Sequence, residues 1–133
     1  MKGFLMQNQP VVSGSVFIIE SYSPESPFGV VFEDDGETGY FYALEKDKDE
    51  ELRVLDALHI YEVNDESEKK SLTLAIVWSG SWRQCVLVID GVCNALFDFE
   101  LQGGYNLNQF PPPNGIWTKH GRKLEPKLLS PFF

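Results

Sequence analysis

The sequence is poor in the residues that most often carry catalysis. Among 133 residues it has two histidines and two cysteines, and a metal or acid–base site usually draws on more convergent groups than these. It contains no GxSxG, Walker, GxGxxG or HExxH motif, and its cysteines lack the spacing of zinc ligands. The sequence therefore favours a non-enzymatic protein without a cofactor or a metal.

Positive charge and long apolar runs are also scarce. The chain has 11 lysines and arginines against 20 aspartates and glutamates, a net charge of −9. This balance argues against nucleic acid or an anionic membrane as the partner, because both attract positive charge. No apolar run approaches the roughly 20 residues of a membrane-spanning helix, and the apolar stretch at residues 4–6 is too short for a secretory signal. We therefore expect a cytoplasmic protein.

What is present suits a single β domain over residues 1–133. Hydrophobic residues make up 43% of the chain and aromatic residues 14%, which is enough for one core. Short β-branched and aromatic segments alternate with turn residues, so we predict a mainly β antiparallel meander, forming a sandwich or partly open barrel with at most one short helix. Residues 1–10 and 128–133 are predicted to be flexible tails. The strands are expected at 15–22, 28–33, 40–44, 54–63, 72–78, 82–89 and 92–100, with a last edge strand at 116–117.

The dipeptide Asp90-Gly91 is the strongest hairpin signal in the chain. If these two residues form the turn, the register places Arg83 opposite Asp98, an attractive cross-strand pair. The hairpin is apolar on both faces near the turn, so both should be covered. One face is predicted to carry Val86, Val88, Cys93, Ala95, Phe97 and Phe99, and the other Cys85, Leu87, Ile89, Val92 and Leu96.

The same register separates the two cysteines. Cys85 and Cys93 fall on opposite faces of the sheet, so a disulfide between them is excluded. Two inert thiols in a reducing compartment are the expectation.

Acidic residues are concentrated in one part of the chain. Residues 20–68 hold 16 acidic and three basic side chains, whereas residues 117–127 hold four basic and one acidic. Solubility alone accounts for such a pattern, and a negative face that steers a basic protein partner is the sharper interpretation. The segment 33–39 is interpreted as a hairpin tip, because the spacing of a calcium loop is absent. The predicted partner-binding face comprises Glu33, Asp34, Asp35, Glu37, Asp47, Asp49, Glu50 and Glu51.

A second interpretation rests on the aromatic residues. Tyr105, Phe110 and Trp117 surround a proline run at 111–113. Core packing explains most of the aromatic residues, and a groove for a ligand or peptide is the alternative. A small-ligand-binding β domain, or an enzyme with an unrecognised site, would use these residues together with His59.

Three segments carry a resemblance to a known family. The stretches VVFEDDGETGYFYAL (residues 30–44), LDALHIYEV (55–63) and ALFDFELQGGYN with FPPPN (95–114) resemble a bacterial domain family of unknown function. The resemblance covers about residues 11–118. It implies a bacterial source and a compact β-rich domain, and it brings no activity, ligand or catalytic residue. By analogy with other small acidic bacterial proteins, an immunity or inhibitor-type role is one hypothesis.

Overall fold

Two antiparallel sheets make up the computed structural model of the protein, which describes residues 3–132. The mainly β prediction is therefore confirmed. Two short 3-10 segments accompany the strands, η1 at Glu66–Glu68 and η2 at Pro126–Phe132. The strands are β1 Gly3–Val12, β2 Val16–Tyr22, β3 Phe28–Asp35, β4 Thr38–Lys46, β5 Leu52–Glu62, β6 Ser71–Ser79, β7 Gln84–Ile89, β8 Val92–Asp98 and β9 Gly103–Asn106.

The two sheets face each other across the main core. The five-stranded sheet has the order β1-β6-β7-β8-β9, and the four-stranded sheet has the order β2-β3-β4-β5. Alternation along each strand turns one set of apolar side chains toward the opposite sheet. The largest fully buried side chains of this core are Trp78, Phe32, Phe41 and Phe97.

The β7–β8 hairpin begins in the predicted register and then departs from it. Ile89 pairs with Val92, and both Asp90 and Gly91 have positive φ, 49° and 80°, as a type I′ turn requires. A bulge at Asn94 then shifts the pairing by one residue.

Because of that shift, the predicted pairing of Arg83 with Asp98 is wrong. Asp98 pairs with Gln84, and Arg83 instead lies 3.9 Å from Glu100. The bulge also moves the later side chains of β8 to the other face. Ala95, Phe97 and Phe99 pack in the main core beside Cys85 and Leu87.

The two cysteines do lie on opposite faces, as predicted. Cys85 is buried in the main core, Cys93 packs in a second cluster, and both are free thiols. Burial raises the pKa of both thiols, which keeps them protonated and unreactive at neutral pH.

Two segments expected outside the sheets pair with neighbours, and one expected strand does not form. Strand β1 pairs with β6 from Gly3 to Val12, where the sequence suggested a flexible tail over residues 1–10. Strand β9, which pairs with β8, occupies a stretch expected to be a loop. No strand forms at Ile116 and Trp117, because Trp117 turns into the main core instead. Met1, Lys2 and Phe133, which belong to the predicted tails, lie outside the described residues.

The outer faces of the two sheets differ. On the five-stranded sheet, the segment that ends in η2 covers the outer side of β7 and β8. The hairpin is therefore covered on both sides as predicted, except at Val92 beside the turn, which is exposed. Among residues 3–132, no comparable hydrophobic cluster lies on the outer face of the four-stranded sheet. The cluster under the C-terminal segment contains Val86, Leu96, Tyr105 and Phe132, with Val77, Val88, Cys93, Leu124, Leu128 and Leu129 packed around it.

Candidate functional site

One carboxylate of the predicted acidic face is buried. Asp34 lies in the interior, and its Oδ2 accepts hydrogen bonds from the N–H of Gly14 (2.8 Å) and the hydroxyl of Tyr61 (2.5 Å). Its Oδ1 accepts a third from the N–H of Gly36 (2.8 Å). Burial, together with this carboxylate, raises the pKa of Tyr61. Asp34 therefore ties the β1–β2 turn, the β3–β4 turn and β5 together, and a partner cannot reach it.

A cluster of exposed carboxylates gathers at the end of the sheet where β3 turns into β4. Thr38 pairs with Glu62, and the N–H of Val63 donates to the carbonyl of Glu37 at 2.7 Å, so the β3–β4 turn, the end of β5 and η1 are neighbours. A cavity of about 300 Å³ lies between the β3–β4 turn and the end of β5, lined by residues 37–38 and 62–64. We call this cluster the acidic end; its residues are Asp35, Glu37, Glu62, Asp65, Glu66 and Glu68.

The backbone holds two of these carboxylates in place. The carboxylate of Asp35 accepts hydrogen bonds from the N–H groups of Thr38 (2.8 Å) and Glu37 (2.9 Å), which lower its pKa. Asp65 caps η1 by accepting from the N–H of Ser67 at 2.9 Å, and its pKa is likewise lowered by bonds from Ser67. Both groups are therefore fixed as anions in solvent.

The remaining predicted carboxylates lie at the opposite end of the same sheet. Asp47, Asp49, Glu50 and Glu51 belong to the connection between β4 and β5, which we call the distal loop. Strand β4 has nine residues, so about 27 Å separates the two ends at roughly 3.4 Å per residue. The eight predicted residues therefore do not form one continuous face. Glu33 lies between the two ends, on the outer face of β3.

His59 lies on the outer face of β5, with its hydrogen-bonding state fixed by its neighbours. Asn108 accepts through Oδ1 from the side chain of Asn106 (2.9 Å) and the N–H of Phe110 (3.0 Å). Its amide nitrogen must therefore donate to Nδ1 of His59, at 2.7 Å. The proton of the neutral ring then sits on Nε2, 3.3 Å from Glu62 but without hydrogen-bond alignment.

The four residues of the predicted aromatic groove do not converge. His59 and Phe110 are in contact, with ring centroids 5.8 Å apart, and Tyr40 meets His59 on its other side at 5.4 Å. Tyr105 instead belongs to the cluster under the C-terminal segment, and Trp117 to the main core between the sheets. Because the five-stranded sheet separates these two rings, no single groove holds all four residues.

A buried ion pair that the sequence analysis did not identify lies beside this region. Both carboxylate oxygens of Asp56 bind the guanidinium of Arg122, at 2.8 and 2.9 Å. Thr118 also donates to Asp56 (2.5 Å), and Arg122 donates to the carbonyls of Gly104 (3.0 Å) and Pro111. Every strong acceptor of the pair is used, so the cluster fixes the C-terminal segment against β5 and β9 rather than offering a reactive group.

No helix in residues 3–132 is long and apolar enough to cross a membrane. The same residues contain no group of three or more histidine, cysteine, aspartate or glutamate side chains placed to hold a metal ion.

Comparison with known proteins gives the family. Residues 11–133 match the family described as an uncharacterized protein conserved in bacteria (DUF2251). The chain belongs to that family. The resemblance noted in the sequence is thereby confirmed, and the match includes every strand from β2 to β9.

One relative among curated proteins is an uncharacterized protein of Haemophilus influenzae. It is 42% identical over an alignment of 95 residues, and the match covers 69% of this chain. The matched region spans 58% of the length of that relative. No solved structure matches the chain.

Proposed function

We propose that this protein is a non-enzymatic binding protein that engages a basic protein partner through the acidic end. The observation that carries the proposal is the local imbalance of charge. The acidic end gathers six carboxylates, and the neighbouring cations are Lys69 and Lys70, of which Lys69 pairs with Glu66 at 3.0 Å. The distal loop is closer to charge balance, because Lys48 lies within it and Lys46 and Arg53 flank it.

The arrangement of the acidic end supports steering of a cation. Several carboxylates on adjacent turns act together, since the Debye length is about 8 Å at physiological ionic strength. Asp35 and Asp65 are held by backbone N–H groups, so little side-chain freedom is lost on binding. A concentrated negative potential of this kind raises association rates about 10- to 1000-fold at low salt. An inhibitor or immunity protein that must find a basic target quickly would use such a surface.

The engagement of the titratable groups supports the non-enzymatic part of the proposal. Nδ1 of His59 accepts from Asn108, and both oxygens of Asp56 bind Arg122. The two cysteines have raised pKa values. None of these groups combines a free basic atom with an adjacent nucleophile, which acid–base or covalent catalysis requires.

Two variants of equal charge test the proposal. The first carries Glu37→Gln, Glu62→Gln and Glu66→Gln at the acidic end, and the matched control carries Asp49→Asn, Glu50→Gln and Glu51→Gln in the distal loop. Partners are captured by the tagged protein from a lysate of the source bacterium at low salt, identified by mass spectrometry and purified. Association rates are then measured by surface plasmon resonance at low and at about 0.5 M salt.

We expect the variant at the acidic end to slow association about tenfold or more at low salt, and the distal control about twofold. At high salt the three proteins should converge, because screening removes the long-range attraction. A captured partner that is acidic, or that binds the variant at the acidic end as fast as the original protein at low salt, would contradict the proposal.

A further inference from the structure

A row of rings crosses the uncovered outer face of the four-stranded sheet. Tyr42 and Tyr40 on β4 stack with centroids 6.0 Å apart and planes 23° from parallel. Tyr40 continues to His59 on β5, and His59 to Phe110, both edge-on. Tyr22 on β2 lies on the same face, over Gly29. We call these five side chains the aromatic row.

The position of Tyr22 depends on glycine. A Cβ at position 29 would lie 2.2 Å from the ring of Tyr22, so the absence of a side chain at Gly29 lets the ring lie flat on the sheet. The ring thus adds to the open surface of the sheet rather than projecting away from it.

Carboxylates lie at the hydroxyl groups of two of these rings. The hydroxyl of Tyr22 donates to Glu20 at 2.6 Å, and that of Tyr42 donates to Glu33 at 3.3 Å. The pKa of both tyrosines is raised, mainly by burial and to a smaller extent by the neighbouring glutamate, and reaches about 12 for Tyr22. Within residues 3–132, no lysine or arginine forms an ion pair with either glutamate, whereas other surface carboxylates do pair.

The face already holds one cation against a ring. The ammonium of Lys46 lies 5.0 Å from the ring centroid of Tyr22, within the range of a cation–π contact. At the other end of the row, Glu62 belongs to the acidic end and lies 3.3 Å from His59. The aromatic row is therefore continuous with the acidic end.

We propose that the aromatic row is a docking surface for arginine side chains of the basic partner, a guanidinium stacking on Tyr40 and Tyr42 and pairing with Glu33. The inference rests on the proposed function and names the chemistry that the partner must present. A planar guanidinium stacks on aromatic rings and binds a carboxylate through two parallel N–H groups. A lysine ammonium is a compact, strongly hydrated charge that gains less from both contacts.

The charge of the face selects protein over nucleic acid. Rings on the outer face of a sheet also stack nucleobases. Here Glu20, Glu33 and Glu62 lie beside the rings, and a phosphate backbone would be repelled by each of them. An arginine-bearing segment satisfies both the rings and the carboxylates.

Three synthetic peptides test the inference by isothermal titration calorimetry at low salt. Each is an acetylated and amidated octapeptide in which glycine alternates with arginine, with lysine or with citrulline, the uncharged analogue of arginine. A uridine octanucleotide is the nucleic acid probe. The variants are Tyr40→Leu with Tyr42→Leu, Glu33→Gln alone, and the distal control described above. Circular dichroism checks that each variant is folded. If the double tyrosine variant is not, Glu33→Gln still tests the site, because it keeps the size and shape of the side chain.

We expect the arginine peptide to bind at least about threefold more tightly than the lysine peptide, and the citrulline peptide not to bind. The double tyrosine variant should weaken binding of the arginine peptide about tenfold, since it removes both stacking rings. Glu33→Gln should weaken it about threefold and reduce the preference over lysine. The distal control should weaken both cationic peptides by the same small factor.

Equal binding of the arginine and lysine peptides, unchanged by the tyrosine substitutions, would overturn the arginine site and leave the steering role of the acidic end intact. Binding of the uridine octanucleotide would overturn the assignment to a protein segment. Absence of binding by either cationic peptide would also overturn the arginine site. The proposed function is tested separately, by the association rates of the purified partner.

Discussion

The two sheets of this protein use their outer faces differently. On the five-stranded sheet, Val86 and Leu96 are buried under the C-terminal segment, with Phe132 at its end. On the four-stranded sheet, Tyr40 and Tyr42 occupy equivalent outward positions and are only partly buried. The chain thus gives one sheet apolar cover on both sides and leaves the other with one open side. We infer that the covered face serves stability and the open face serves binding.

The largest expected effect on stability comes from breaking the ion pair that fixes the C-terminal segment. Arg122→Met leaves the buried carboxylate of Asp56 without its partner, and breaking a buried ion pair costs about 3–5 kcal/mol. We expect urea unfolding to show a loss of that size. The double variant Asp56→Leu with Arg122→Met should recover a large part of the loss, because the uncompensated charge is gone. A single variant as stable as the original protein would show that the pair does not hold the C-terminal segment in place.

A matched pair of truncations compares the two faces directly. Leu96→Ala removes a fully buried side chain under the C-terminal segment and should lower the free energy of unfolding by about 3 kcal/mol. Val31→Ala removes a half-buried side chain from the open face and should lower it by about 1 kcal/mol or less. Thermal and urea unfolding measure both. Equal losses would mean that the open face is packed as tightly as the covered one.

The local pattern of the sequence predicts most strands and the tight turn. The alternation of apolar residues and the positions of turn residues predicted seven of the nine strands. Asp90-Gly91 predicted the hairpin, because these two residues adopt the positive φ that the turn requires. The bulge at Asn94 could not be predicted from the sequence, because a one-residue shift in strand pairing leaves the composition of the strand unchanged. It nevertheless exchanged the faces of every later side chain in β8.

The candidate site was predictable only in part. The excess of acidic residues identified the carboxylates, but their separation into two ends follows from strand pairing, which composition does not encode. Asp34 looked like its exposed neighbours because its partners, Gly14 and Tyr61, are distant in sequence. The bond from Arg122 to Asp56 joins positions 66 residues apart. A single arginine in a basic segment carries no local sign that it will be buried.

The burial of Asp34 predicts an intermediate effect. Asp34→Asn replaces one acceptor oxygen by an amide NH2 group, which is a donor and would face other donors. At least one of the three buried donors then loses its partner, at a cost of about 2 kcal/mol. Asp35→Asn is the matched control next in sequence, where the side chain is in solvent. Urea unfolding at pH 7 should separate the two clearly, and a control as damaging as Asp34→Asn would contradict the distinction between the buried and exposed carboxylates.

The smallest effect is expected on the open face, at Tyr42. Tyr42→Phe removes a hydroxyl that donates a long hydrogen bond to Glu33 at a half-buried position, so the change in the free energy of unfolding at pH 7 should stay below about 0.5 kcal/mol. The pKa of Tyr42 is raised in the folded protein by burial and by Glu33.

That shift gives the effect of Tyr42→Phe a pH dependence of known sign. The contribution of a group with a raised pKa is complete below its unfolded value, near pH 10 for tyrosine, and is lost as the pH rises through the folded value. The original protein should therefore lose stability relative to the phenylalanine variant as the pH rises above about 10. Urea unfolding of both proteins across that range measures the difference, in which the other tyrosines cancel. A difference that does not change with pH would mean that the Tyr42 hydroxyl is fully solvated and that the aromatic row does not hold Glu33.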